Sequence, residues 1–207
     1  MALISVSNNA LSDISTLPAS IPTGSLTLIK SITASASANI SFVHGTDGVV
    51  LDGTYLSYVF SFINIHPATD SVNFEFNMST DNGSTYAVTK TTTSFQAYHR
   101  ENDEASPAIA YASTHDLAQS TAYKRLFVGV GNESDQNGSG TLQIFNPSSN
   151  VFVKHFIGVS NSTEANDYQT QWFTAGYGNT TSAVNAVRFR MSSGNIDDGI
   201  IKLYGVS

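Results

Sequence analysis

Five histidines, His44, His66, His99, His115 and His155, come first, because imidazole can be base, acid or metal ligand near neutral pH. No two of them stand as His-x-His or His-x-x-x-His, so no single strand or helix presents a pair of imidazoles to one metal. They read as separate surface or half-buried side chains. Carboxylates fall into three close groupings: Asp197 with Asp198, Asp103 with Glu104, and Asp47 with Asp52. Glycoside hydrolysis needs two carboxyls ~5–10 Å apart across a sugar. Neighbours on a strand point to opposite faces, so these groupings read as turn aspartates. Calcium would also accept such oxygens, but the sequence has no Asp-x-Asp-x-Asp-Gly loop. Gly138-Ser139-Gly140 is too short for a Gly-x-Ser-x-Gly nucleophile elbow. There is no phosphate-binding or dinucleotide glycine loop. The absence of cysteine excludes disulfides, thiol catalysis and Cys-based zinc sites. No catalytic residue, metal or cofactor is therefore expected. What remains is aromatic chemistry: Tyr168, Trp172 and Tyr177 are candidates for stacking on a sugar ring, although aromatics are also ordinary strand and core residues.

The elements that would carry these side chains are strands. From Ser25 onward apolar residues recur with period two, which puts one face on a core and the other in water. Leu26 and Leu28 begin the pattern. Leu56, Tyr58, Phe60 and Phe62 continue it, then Val72, Phe74, Phe76 and Met78. Leu126, Val128 and Val130, Leu142 and Ile144, and Val151, Val153, His155 and Ile157 are three further runs. Val187, Phe189 and Met191 precede a last run of Ile201, Leu203 and Gly205. Phe60, Phe62, Phe74, Phe76, Val128, Ile144 and Phe189 are expected to point inward. Turn residues separate the runs, and Asp81-Asn82-Gly83 is the best hairpin signal, because Asn-Gly accepts a type I′ turn. Arg100 to Gln119 breaks the rhythm and is expected to be a long excursion with a helical turn at Thr114–Ala118. About ten short strands without helical spacers predict an all-β, two-sheet antiparallel β-sandwich spanning residues 25–207.

Residues 1–24 differ. Leu11, Ile14 and Leu17 have helix-like spacing, and Pro18 and Pro22 stop any helix. They predict an N-terminal arm. With Ile4, its apolar side chains are too few for a core of their own, so Ile4, Leu11, Ile14 and Leu17 are candidate attachment residues.

Charge narrows the partners. The formal net charge is −7, and Lys30, Lys90, Arg100, Lys124, Arg125, Lys154, Arg188, Arg190 and Lys202 are scattered. Nucleic-acid binding rests on clustered cations, so none is expected, and anionic membranes are disfavoured for the same reason. No stretch approaches the ~18 apolar residues of a membrane span, so no insertion is expected. The first residues lack the basic and apolar segments of a secretory signal, which predicts synthesis in the cytoplasm.

Four stretches resemble virion proteins of tailed bacteriophages, especially those infecting marine bacteria and cyanobacteria. They are Tyr58-Val-Phe-Ser-Phe-Ile-Asn-Ile-His-Pro, Phe74-Glu-Phe-Asn-Met-Ser-Thr-Asp-Asn-Gly-Ser-Thr-Tyr, Gly176-Tyr-Gly-Asn-Thr-Thr-Ser-Ala and Met191-Ser-Ser-Gly-Asn-Ile-Asp-Asp-Gly-Ile-Ile-Lys-Leu-Tyr-Gly-Val. None is a catalytic motif. The resemblance implies a jelly-roll-like sandwich displayed on a particle, commonly a homotrimer, among other virion proteins. The expectation is a non-enzymatic virion structural protein, a tail-fibre or head-fibre/decoration component assembled in the host cytoplasm and released by lysis. The alternative is a carbohydrate-binding module for host surface glycans. A glycan-degrading enzyme is the third reading.

Overall fold

The computed structural model describes residues 26–103 and 107–207. Ile4, Leu11, Ile14 and Leu17 lie outside the described residues. Among the described residues, alternation becomes twelve strands: β1 (Leu26–Thr33), β2 (Ile40–Val43), β3 (Ser57–Pro67), β4 (Val72–Ser79), β5 (Lys90–Arg100), β6 (Ala108–Tyr111), β7 (Lys124–Val130), β8 (Gly138–Phe145), β9 (Lys154–Thr163), β10 (Tyr168–Gly178), β11 (Ala186–Met191) and β12 (Ile196–Val206). All pair antiparallel. One sheet has eight strands in the order β1-β12-β3-β8-β9-β10-β5-β6, the other four in the order β2-β11-β4-β7. This is the two-sheet sandwich that the alternation predicts. A jelly roll proper has eight strands in two Greek keys; the described residues form twelve, divided eight and four.

The core is an aromatic stack between the sheets. Phe74 stacks on Phe127 at 5.0 Å with the rings inclined by 29° and on Phe189 at 5.7 Å with the rings inclined by 10°. Phe62 meets Phe74, Phe127 and Phe189 edge-on. Each such pair adds ~0.5–1.5 kcal/mol beyond the area it buries. Phe60, Phe76 and Ile144 are buried with them, as their parity in the sequence predicts.

Several expectations are corrected. Val128 is only half-buried, and Phe127 takes the inward place. The ladder of β7 on β4 shifts register on both sides of Phe74, and Gly129 has φ +66°, so the parity slips within one strand. Leu56 precedes β3 and is exposed. His155 and Ile157 face outward, because Lys154, Phe156 and Gly158 hold the inward parity of β9. Asp81-Asn82-Gly83 does make the expected turn, with positive φ at Asn82 and Gly83 and Ser84 N–H donating to Asp81 O. It does not close a hairpin, because β4 belongs to the small sheet and β5 to the large one. Among the described residues, the excursion after Arg100 contains the edge strand β6 and one 3-10 turn, Ser113–His115, which starts one residue earlier and ends three earlier than the expected Thr114–Ala118.

Candidate functional site

The chemistry of this molecule lies where its patterning inverts. In β5 and β10 many of the inward positions are polar. Thr92 and Ser94 of β5 and Thr170 and Thr174 of β10 are buried, with Ser94 Oγ 3.4 Å from Thr174 Oγ1. Three lysines are buried among them. Lys124 Nζ donates to Ser94 Oγ and to His115 O, both at 2.6 Å. Lys90 and Lys154 flank Gly178 on the two neighbouring strands. Lys90 Nζ donates to Asn77 Oδ1 at 2.5 Å and Val88 O at 2.7 Å, Lys154 Nζ to Phe152 O at 2.6 Å. Burial disfavours the ammonium form, and the nearby Asp116 offsets it only in part at Lys124. Burial lowers Lys90 to about 7, Lys124 to about 8, and Lys154 in the same direction.

The apolar residues of the same strands point outward. Phe95 of β5 and Phe173 of β10 are cross-strand partners whose rings stack at 4.6 Å and 8°. Val159 of β9 is opposite Phe173, Ile157 is opposite Ala175, and Tyr111 of β6 is opposite Phe95. Phe95 is 44% exposed, Ile157 52%, Tyr111 64% and Ile109 80%. A groove of about 180 Å³ runs over Phe95, Ile157, Val159 and Phe173. The surrounding outward positions are Thr93, Thr141, Gln143, Asn161 and Gln171. Across β3, β8, β9, β10, β5 and β6, none of the outward side chains is Asp, Glu, Lys or Arg. The small sheet is the opposite: Arg190 pairs with Glu75 at 2.8 Å and lies over Tyr123, and Arg188 lies over Tyr86.

The three aromatics proposed for sugar stacking do not form one platform. Trp172 points inward, is 3% exposed and lies against His115 at 5.0 Å, so its face is closed to a ligand. Tyr177 is on the outer face at the far end of β10, 5.9 Å from His155. Tyr168 is half-buried, edge-on to Tyr98 and under Arg100. Tyr168 and Trp172 do share a cleft of about 370 Å³ with Tyr98, Gln96, Glu164 and His115. Glu164 accepts a hydrogen bond from Thr170 Oγ1 at 2.7 Å, and burial pushes its carboxyl up. Burial and the cations Arg125 and Lys124 lower His115.

The described carboxylates of the three sequence groupings are engaged separately, and Glu104 lies outside the described residues. Asp198 accepts from the N–H of Gly199, Asp197 lies 3.9 Å from His66, and Asp103 bonds His99 at 2.9 Å. Hydrogen bonds from the Thr54 hydroxyl and then from its N–H hold the Asp52 carboxyl below its ordinary range, and Asp47 sits in a turn with φ +50°. Among the described residues no group of three or more His, Asp or Glu could hold a metal ion. No described helix is long and apolar enough to cross a membrane. No family model, curated protein or solved structure matches the chain.

Sequence reasoning missed the Phe95–Phe173 pair and the strand pairing that creates it. A signal existed: Thr93-x-Phe95-x-Ala97 and Gln171-x-Phe173-x-Ala175 alternate in phase opposite to their hydroxyl-rich partners.

Proposed function

We propose that this chain is a non-enzymatic structural component of a bacteriophage virion, a tail-fibre or head-fibre/decoration protein that works as a homotrimer among other virion proteins. One observation carries the reading: the large sheet is apolar and uncharged outward where it is hydroxylated and cationic inward. A sheet that met only water there would gain by the reverse arrangement. Burying a Phe or Ile side chain is worth ~1.5–3 kcal/mol, so a covered outer face repays this pattern. Contiguous apolar patches on soluble chains mark interaction sites. The resemblance in the sequence supplies the particle as the setting, and cytoplasmic assembly with release by lysis follows from it. Mass spectrometry of virions purified from a host lysate tests the reading. The chain should be present at the copy number of a structural component; particles that infect normally without it would contradict the proposal.

The cleft at Glu164 favours a second reading, a carbohydrate-binding module for host surface glycans. Tyr98 and Tyr168 offer apolar faces, and Glu164, Thr170 and Gln96 offer the directional partners that sugar hydroxyls need. Titration with a panel of neutral monosaccharides should shift the Tyr98 and Tyr168 NMR signals, and Glu164→Gln should weaken that response. A silent panel would remove this reading.

A further inference from the structure

We infer that a second copy of this chain covers the outer face of β8, β9, β10, β5 and β6, with the stacked Phe95–Phe173 pair at the centre of the contact. The inference rests on the structural reading above and names the partner.

Charge is the first argument. Each copy carries −7, so two copies repel wherever their carboxylates approach. Among the described residues, none of the outward side chains of these strands is Asp, Glu, Lys or Arg; the Asp103 and Asp116 carboxylates bond His99 and Tyr111 at the margin. The centre is therefore a surface on which two copies meet without placing like charges together or stripping water from an ion.

The rim is the second. Thr93, Thr141, Gln143, Asn161 and Gln171 surround the aromatic pair, and every one both donates and accepts hydrogen bonds. Such a rim is complementary to itself. A partner of opposite charge would instead call for a charged rim, which this face lacks. The apolar centre with a polar margin has the layout of an interface.

Size is the third. Five strands at ~4.8 Å spacing and about eight residues at ~3.4 Å rise span roughly 24 Å by 27 Å. The resulting area of about 650 Å² lies within the roughly 600–1,000 Å² that one partner contributes to a stable interface. The edge strand β6 extends the face with Ile109 and Tyr111, and Tyr111 is fixed there by hydrogen bonds to Thr93 and to the Asp116 carboxylate.

Sedimentation velocity and light scattering of the full chain from 1 to 100 µM test this. The wild type should move from 22.1 kDa toward two or three times that mass as concentration rises. Val159→Asp and, separately, Thr141→Asp put like charges on the face at exposed positions, where the fold tolerates them. Each should weaken association at least tenfold with unchanged circular dichroism. Leu56→Asp, exposed outside this face, should leave association unchanged. A wild type that stays monomeric at 100 µM overturns the inference, and so do face variants that associate like the wild type. A chain that is monomeric in solution yet abundant in virions would sink the self-contact and leave the structural reading standing. A chain that self-associates but is missing from virions would do the reverse.

Discussion

Phe74 shows how much one side chain holds. It stacks on Phe127 and Phe189, takes the edge of Phe62 and is fully buried. Phe74→Ala should cost ~3–5 kcal/mol in urea unfolding, since the hole it leaves is walled by rings that cannot all collapse. A loss near zero would mean that another residue fills this place. Lys90 makes the opposite kind of statement. Its folded pKa is about 7, against an ordinary value of 10.5. Between those values the unfolded chain binds the proton and the folded chain has released it, so stability rises with pH across this window. The burial penalty is fully present below pH 7. Unfolding free energy should therefore increase between pH 7 and 9.5, with roughly 2–3 kcal/mol of the rise due to Lys90. Lys90→Met should flatten the profile by that amount, and an unchanged slope would mean that Lys90 is hydrated in the folded state.

At the level of elements, the sequence was legible wherever one face of a strand was apolar and the other polar. β3, β4, β8, β11 and β12 are of this kind, and their inward residues were the expected ones, from Phe60 to Phe189. β5 and β10 went unseen because Lys90, Thr92 and Ser94, or Thr170 and Thr174, occupy buried positions that hydrophobic periodicity expects to be apolar. β9 has apolar residues on both parities, Phe156 inward and Ile157 and Val159 outward, so the sequence leaves its phase ambiguous and the run from Val151 to Ile157 predicts the opposite one. The same hidden pairing concealed the candidate face, which exists only when β5, β10 and β9 lie side by side. The β8–β9 pairing itself depends on small residues. A Cβ on Gly140 would sit 2.5 Å from Val159 O and 2.7 Å from Ser160 Cα, both backbone atoms of the next strand. Gly140→Ala should therefore lower stability by ~1–3 kcal/mol. Gly158→Ala, whose nearest neighbour is Thr141 O at 3.4 Å, should change it far less. Equal melting temperatures for the two variants would show that β8 can shift away from β9 without cost.

At the scale of the whole molecule, the proposed role rests on an uncharged sheet face, a charged small sheet and a sequence segment, residues 1–24, that lies outside the described residues. Ile4, Leu11, Ile14 and Leu17 are expected to anchor the protein to its particle, while the sandwich folds by itself. Deletion of residues 1–22 should leave the melting temperature nearly unchanged and abolish incorporation into particles. Normal incorporation, or an unfolded truncation product, would refute the anchoring role. The central claim is that the uncharged outer face is buried in an assembly on the virion. A cryo-electron microscopy map of purified particles tests it most directly. The account predicts repeated copies of the sandwich with Phe95 and Phe173 enclosed between chains and the Arg188–Arg190 side of the small sheet toward solvent. Copies placed with Phe95, Ile157 and Phe173 open to water would contradict it.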